Sequence, residues 1–229
     1  LPLIEVVNGD NTGEVASAFA SAFSRQIGKL PLPCRSMPGF LVNRILGPYM
    51  AEAMVLLGEG LTAAEIDQAA VDFGMPMGPV ELADSVGLDV ALHVARILSP
   101  VIGRPVDEEL ETKVETGRLG QKTGEGFYAY EEGKPVRPRI PANSVDQEVQ
   151  DRLILSYVNE AAACLADGVV ADPDLVDAGA IFGTGFAPFR GGPLHYVRAE
   201  GVASQRARLV ALAGRHGDRF APSAGWDQL

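Results

Sequence analysis

The sequence predicts a mostly helical protein, with two tandem copies of one helical unit following a short strand–helix–strand segment. Three observations predict it. First, a long block occurs twice. Arg44, Tyr49, Glu52-Ala53 and Gly60 recur as Arg152, Tyr157, Glu160-Ala161 and Gly168, at a constant offset of 108. Phe73-Gly74 and Pro79 match Phe182-Gly183 and Pro188 at an offset of 109. A period this long is not a solenoid repeat, whose units run roughly 20 to 50 residues. It predicts a duplicated helical unit whose copies pack on each other as a dimer would. Second, two β-rich runs at the start flank a helical stripe, the pattern of a parallel α/β unit. Third, helix starts and glycine or proline stops punctuate the chain from Pro38 onward.

Taken in order, Leu3-Ile4-Glu5-Val6-Val7 reads as a strand ended by the loop signal Asn8-Gly9-Asp10-Asn11. A helix over about 13–27 carries Val15, Phe19, Phe23 and Ile27 at four-residue spacing, and Gly28 is its stop. Leu30-Pro31-Leu32-Pro33-Cys34 is extended, because each proline pushes its predecessor out of the α region. Residues 1–35 therefore read as the tail of a parallel sheet whose remaining strands lie elsewhere.

Residues 36–130 form the first helical unit. Phe40 to Leu57 is helical, with a kink or restart at Pro48. Thr62-Ala63-Ala64-Glu65 is a capping box. Met75-Pro76-Met77-Gly78-Pro79 is a rigid turn leading into another helix, and Leu88 to Leu98 is amphipathic. Arg118 to Tyr128 is a glycine-dense loop ending in aromatics. The polar, proline-rich stretch 131–146 reads as a linker, 147–221 as the second helical copy, and 222–229 as a loose tail.

A net charge of −11 argues against nucleic acid and against an anionic membrane surface. No apolar run approaches the roughly 20 residues needed to span a bilayer. Cys34 and Cys164 have no paired spacing, which predicts a reducing compartment and no disulfide framework. His93, His195 and His216 lie far apart, so no metal site is expected. The chain opens Leu1-Pro2-Leu3 without Met, and the expectation is a fragment or processed product. No Gly-x-Gly-x-x-Gly, Gly-x-x-x-x-Gly-Lys-Ser/Thr or Gly-x-Ser-x-Gly pattern occurs.

Two polar residues stand out as candidate catalytic groups. Glu5 is a carboxylate inside an apolar strand. It either orients a catalytic imidazole or faces water from an edge strand. Asn43 follows Pro38-Gly39-Phe40 at a helix start. Its amide either meets a substrate carbonyl or satisfies the helix backbone. Elsewhere the simpler readings prevail. His93 is expected to be a partly buried core or interface residue, His195 a packing residue, and Cys34 a small core residue. Lys122 reads as a surface lysine, and Met75 and Met77 as core packing.

Four motifs in order extend this reading: Leu3-Ile4-Glu5-Val6-Val7; Pro38-Gly39-Phe40-Leu41-Val42-Asn43-Arg44; Gly74-Met75-Pro76-Met77-Gly78-Pro79 with Asp84-Ser85-Val86-Gly87-Leu88-Asp89; and Arg118 through Tyr128. Together they resemble the L-3-hydroxyacyl-CoA dehydrogenase family. The presence of two copies resembles its multifunctional β-oxidation members. The resemblance implies two 6-phosphogluconate-dehydrogenase-C-terminal-like helical domains after a remnant of an NAD-binding Rossmann domain. It implies NAD-dependent oxidation of 3-hydroxyacyl-CoA to 3-ketoacyl-CoA, with Glu5 as the acid behind a catalytic histidine and Asn43 as the amide near the reacting groups. The family's histidine and glycine-rich NAD loop lie upstream of Glu5, so NAD is expected to bind mainly outside this chain. Dehydrogenase activity of the chain alone is expected to be slight. Implied partners are an acyl-CoA, the absent Rossmann half and a thiolase subunit, in a bacterial cytoplasm or an organelle matrix. The alternatives are a short-chain 3-hydroxybutyryl-CoA dehydrogenase and a non-catalytic acyl-CoA-binding or assembly module.

Overall fold

The structure, a computed structural model, describes residues 2–140 and 146–229. Strands β1 (Leu3–Asn8) and β2 (Leu30–Arg35) pair in parallel, with Glu5 opposite Leu32, and α1 (Glu14–Gln26) joins them. Gly28 takes φ +74° to end the helix, a conformation that favours glycine. The predicted stripe on α1 exists but points outward. Val15 is 84% exposed and Phe19 72% exposed, while Ser21 and Ser24 are the buried side.

The first helical copy comprises α2 (Val42–Gly58), α3 (Ala63–Phe73), α4 (Pro79–Val86), α5 (Leu88–Ile102) and α6 (Glu108–Glu115). One continuous helix runs through Pro48, so there is no restart there. Thr62 and Glu65 form the predicted capping box at the start of α3. Ala83, Leu88, Leu92 and Leu110 make a buried cluster, closed by Met50, Val106, Val114 and Phe127. The second copy comprises α7 (Gln147–Ala166), α8 (Pro173–Thr184), α9 (Pro193–Glu200) and α10 (Val202–His216).

Cap geometry corrects the repeat register beyond the first helix of each copy. Thr62 and Asp172 are the N-caps of α3 and α8, and the left-handed glycines Gly74 and Gly185 end them. Pro79 and Pro193 open α4 and α9, and Gly87 and Gly201 separate each short helix from the next long one. The matches Phe182-Gly183 and Pro188 are therefore not equivalents of Phe73-Gly74 and Pro79. Gly183 lies inside α8, and Pro188 begins a one-turn 3-10 helix with no counterpart in the first copy. The second copy has a longer loop before α8 and this extra turn before α9, so a fixed offset cannot hold.

The equivalence extends to a buried device. In the first copy, Asp67 on α3 accepts from the backbone N–H of Val80 (2.8 Å) and Glu81 (3.0 Å) at the start of α4. In the second, Asp177 on α8 accepts from Leu194 (2.7 Å) and His195 (3.1 Å) at the start of α9. Each carboxylate faces a glycine, Gly78 or Gly192, where an added Cβ would lie about 2.2 to 2.4 Å from the aspartate. Helix starts leave their first N–H groups unsatisfied, and these side chains complete them from a neighbouring helix.

Three further expectations change. The stretch read as a linker begins as a hairpin of β3 (Tyr130–Glu131) and β4 (Lys134–Pro135), and Arg137 pairs with Glu81. Residues 141–145 of that stretch lie outside the described residues. The segment 222–229 is not a loose tail. Trp226 is 2% exposed, and its Nε1 donates to Asn159 Oδ1 at 2.8 Å, which also accepts from Ser223 N. Gly225 lies against the Ala162 carbonyl so closely that no side chain fits. Finally, His93 is exposed rather than partly buried.

The chain divides into two compact units, residues 1–46 with 157–229, and residues 47–156. The divisions fall inside α2 and α7, so each unit joins the body of one copy to the start of the other copy's long helix. Among the described residues no single helix is long and apolar enough to cross a membrane.

Two predictions follow from this geometry. Trp226→Ala lowers unfolding free energy by about 3–5 kcal/mol, the usual cost of emptying a large aromatic site, as measured by urea denaturation. Burial raises Asp67 and Asp177 to about 6. The native state therefore takes up protons before the unfolded chain does. The stability these groups contribute grows as pH falls from about 6 towards 4, and is lost as pH rises through that window. Asp67→Asn flattens this part of the melting-temperature profile. A profile identical to wild type between pH 4 and 7 would refute the assignment.

Candidate active site

Pro38-Gly39-Phe40 builds the start of α2. Gly39 (φ +78°) and Phe40 (φ +49°) are consecutive left-handed residues. For a non-glycine residue this conformation costs roughly 1–2 kcal/mol, so other contacts must hold it. Glu5 supplies them. Its Oε1 accepts from Leu41 N at 2.8 Å and from Val42 N at 3.1 Å. Val42 opens α2 and Leu41 immediately precedes it, where no intrahelical acceptor exists and the helix dipole favours negative charge.

The water-facing alternative for Glu5 does not describe this arrangement. The side chain is half-buried and turned towards α2 rather than towards open water. Burial raises its pKa, and the two backbone bonds oppose that rise. Both bonds use Oε1. Oε2 has no hydrogen bond among the described residues, which leaves one carboxylate oxygen for a further donor.

With Glu5 filling the helix start, Asn43 is not needed there. Asn43 is exposed in the first turn of α2, and its amide makes no hydrogen bond among the described residues. The backbone-satisfying alternative for Asn43 is therefore excluded by Glu5. Glu5 binds the backbone N–H of Val42, the residue that precedes Asn43.

Sequence reasoning missed the group beside them. Arg44 is 5% exposed, and its Nε donates to Glu160 Oε1 at 2.8 Å while Nη2 donates to Asp167 Oδ2 at 2.5 Å. The recurrence of Arg44, Glu52 and Glu59 as Arg152, Glu160 and Asp167 was the available signal. Charged residues repeated at helical spacing in an apolar helix point to buried pairing.

Other titratable groups do not join this site. Cys34 is buried at the end of β2, and burial pushes its thiol up to about 12, which rules out a reactive thiolate. Lys122 pairs with Asp89. His195 is exposed and lies over Gly191. No cluster of metal ligands occurs among the described residues. The strand–helix turn Asn8 to Gly13 does not fit the pyrophosphate of NAD. Asp10 and Glu14 put negative charge at the α1 start, where a phosphate would have to sit.

Residues 39–130 match the family described as 3-hydroxyacyl-CoA dehydrogenase, C-terminal domain. The chain is 38% identical over 238 residues to the fatty acid oxidation complex subunit alpha of Shewanella amazonensis, covering 98% of this chain and 34% of that protein. It thus spans about a third of the length of the curated relatives it matches. A 3-hydroxybutyryl-CoA dehydrogenase from Escherichia coli superposes with a TM-score of 0.82 at 22% identity, covering 99% of this chain and 67% of that one. The dehydrogenase part of multifunctional enzyme 1 from C. elegans gives 0.68 at 23% identity, covering 100% and 56%. At these identities the two structures establish the shared fold.

Glu5→Ala should destabilise the protein by about 2 kcal/mol, the upper end for loss of a helix cap, with a smaller loss for Glu5→Gln, which keeps an acceptor. Chemical denaturation measures both. Equal stability of Glu5→Ala and wild type would mean that the α2 start does not depend on this carboxylate.

Proposed function

Starting from a chain whose residues 39–130 belong to the 3-hydroxyacyl-CoA dehydrogenase C-terminal domain family, we propose that it forms the acyl-CoA side of an L-3-hydroxyacyl-CoA dehydrogenase. The reaction is NAD-dependent oxidation of a 3-hydroxyacyl-CoA to the 3-ketoacyl-CoA in fatty-acid β-oxidation. The observation that carries this reading is the Glu5–α2 junction. A carboxylate with one oxygen spare holds the backbone N–H groups of Leu41 and Val42, the two residues that precede the exposed Asn43.

In this reading the Asn43 amide donates to the oxygen on which charge develops, and its value lies in being fixed before substrate arrives. Glu5 accepts through Oε2 from an imidazole supplied by a preceding segment, orients it and stabilises its charged form. NAD, when bound to that preceding segment, supplies the hydride acceptor. Two observations support a preceding domain. The curated relatives are about three times as long, and the outward apolar stripe of α1, Val15, Phe19, Phe23 and Ile27, is a surface that a further layer would cover. A thiolase subunit is the partner proposed for the assembled complex, in line with relatives named as subunits of a fatty acid oxidation complex.

The test is steady-state NAD reduction by the full-length protein that carries this chain, with 3-hydroxyacyl-CoA substrates of graded length. Asn43→Ala should lower kcat about 100-fold, as loss of one preorganised donor does. Its melting temperature should not change, because the amide makes no intramolecular bond. Binding of acetoacetyl-CoA by the wild-type protein without any turnover would favour a binding module instead.

A further inference from the structure

Resting on that reading, we infer that the second helical copy, which lacks the site residues itself, is the positioning element of the Glu5–Asn43 site. Asp151 stands in the second copy where Asn43 stands in the first, so the copy has no amide of its own there. Its contacts nevertheless converge on the residues that flank Asn43. On one side, Arg44 is held by Glu160 and Asp167 of α7. On the other, Leu41 and Val42 meet α8. A Cβ added at Gly179 would lie 2.4 Å from Leu41 Cδ2 and 3.1 Å from Leu32 Cδ2. One added at Gly183 would lie 2.6 Å from Val42 Cγ2 and 3.0 Å from Leu3 Cδ2. The backbone joins in as well, because Arg35 N at the end of β2 donates to Val169 O at 2.8 Å.

Strand β1 with Glu5, the turn before α2 and the first turn with Asn43 are thus fastened to one body, the second copy, within a single compact unit. The two glycines sit four residues apart on one face of α8, and their missing side chains let the helix approach β1 and α2 closely. The corresponding positions of α3 are Ala69 and Phe73, so the close approach is particular to the copy that faces the site. Glu160, Asp167, Gly179 and Gly183 are positioning residues. They touch no reacting atom and act by fixing where the Asn43 amide and the Glu5 carboxylate lie. A small displacement of such groups costs rate steeply, up to about 100-fold for roughly 1 Å.

The reciprocal ion pair of the first copy supplies a control. Arg152 donates to the equivalent residues Glu52 and Glu59, gripping Glu59 with both terminal nitrogens, in the unit that does not hold Glu5 and Asn43. In the full-length protein, Glu59→Gln, Asp167→Asn and Gly179→Ala are compared for thermal stability, for kcat and KM with a 3-hydroxyacyl-CoA, and for hydrogen exchange of the Leu41 and Val42 amides. Asp167→Asn and Gly179→Ala are expected to lower kcat about tenfold or more with KM little changed. They should also speed exchange at Leu41 and Val42 beyond what their loss of stability accounts for. Asp167→Glu, which keeps the charge, should restore most of the rate. Glu59→Gln should lose comparable stability with kcat and those two amides unaffected. Equal effects of Glu59→Gln and Asp167→Asn on rate and exchange would overturn the inference while leaving the dehydrogenase reading intact. A wild-type protein without turnover would overturn that reading, and the catalytic role of the second copy with it.

Discussion

Two buried guanidinium groups hold this architecture. Arg44 and Arg152 are 5% and 4% exposed, and each reaches from the start of its own long helix to carboxylates of the other copy. The correspondence is close in atom and distance. Nε donates to the first glutamate at 2.8 Å in both, Glu160 for Arg44 and Glu52 for Arg152. A terminal nitrogen then meets the next carboxylate at 2.5 Å in both, Asp167 and Glu59. The pairing is reciprocal: a residue of the first copy meets one of the second, and the equivalent of the second meets the equivalent of the first. Here both halves of the relation lie on one chain. Removing a carboxylate partner leaves a buried guanidinium uncompensated, which is destabilising, so each copy's long helix depends on the other for its charge pairing.

That constraint explains why the compact units do not coincide with the sequence copies. A unit assembled around Arg44 must contain the start of α2 together with the later part of α7. One assembled around Arg152 must contain the start of α7 with the later part of α2. The rest of each copy follows its own helices. Glu5 then becomes intelligible as more than a candidate catalytic group. The start of α2 belongs to the unit of β1 and β2, and its first two free N–H groups need an acceptor there. Glu5 meets that need, and by doing so releases Asn43 from any capping duty. One carboxylate links the strand, the strained Gly39-Phe40 turn and the exposed amide.

Much of this was legible in the sequence, and the limits have physical causes. The duplication showed through Arg44/Arg152, Tyr49/Tyr157 and Glu52/Glu160 on the long helix of each copy, and through Gly60/Gly168, the left-handed glycines just past its end. The register failed beyond Gly60 and Gly168 because loops tolerate insertion, and chance matches such as Phe182-Gly183 then outweighed true equivalents defined by caps. That Asp67 and Asp177 each complete another helix start is a tertiary fact with no local spacing. Residues 222–229 read as loose because they are short and polar. The single tryptophan in them was the clue, since a ring of that size is seldom left in water. Glu5 and Asn43 were identified as a pair only through a family resemblance. Which side chain meets the N–H groups at the α2 start is a tertiary fact that local sequence does not carry.

The asymmetry between the copies is the last consequence. Duplication gives each copy the same scaffold, and the ion pairs require both to be retained. A site, by contrast, needs only one exposed amide beside one carboxylate. The first copy keeps Asn43 next to the strand that bears Glu5. The second has Asp151 there, and β1 has no counterpart before α7 within the described residues. With no carboxylate-bearing strand at the start of α7 among the described residues, an amide at that position would have no such partner. What the second copy retains is Arg152, Glu160 and Asp167 for the reciprocal pairs, with Gly179 and Gly183 for close approach to β1 and the α2 start. Those are the features by which one copy can serve the other's site.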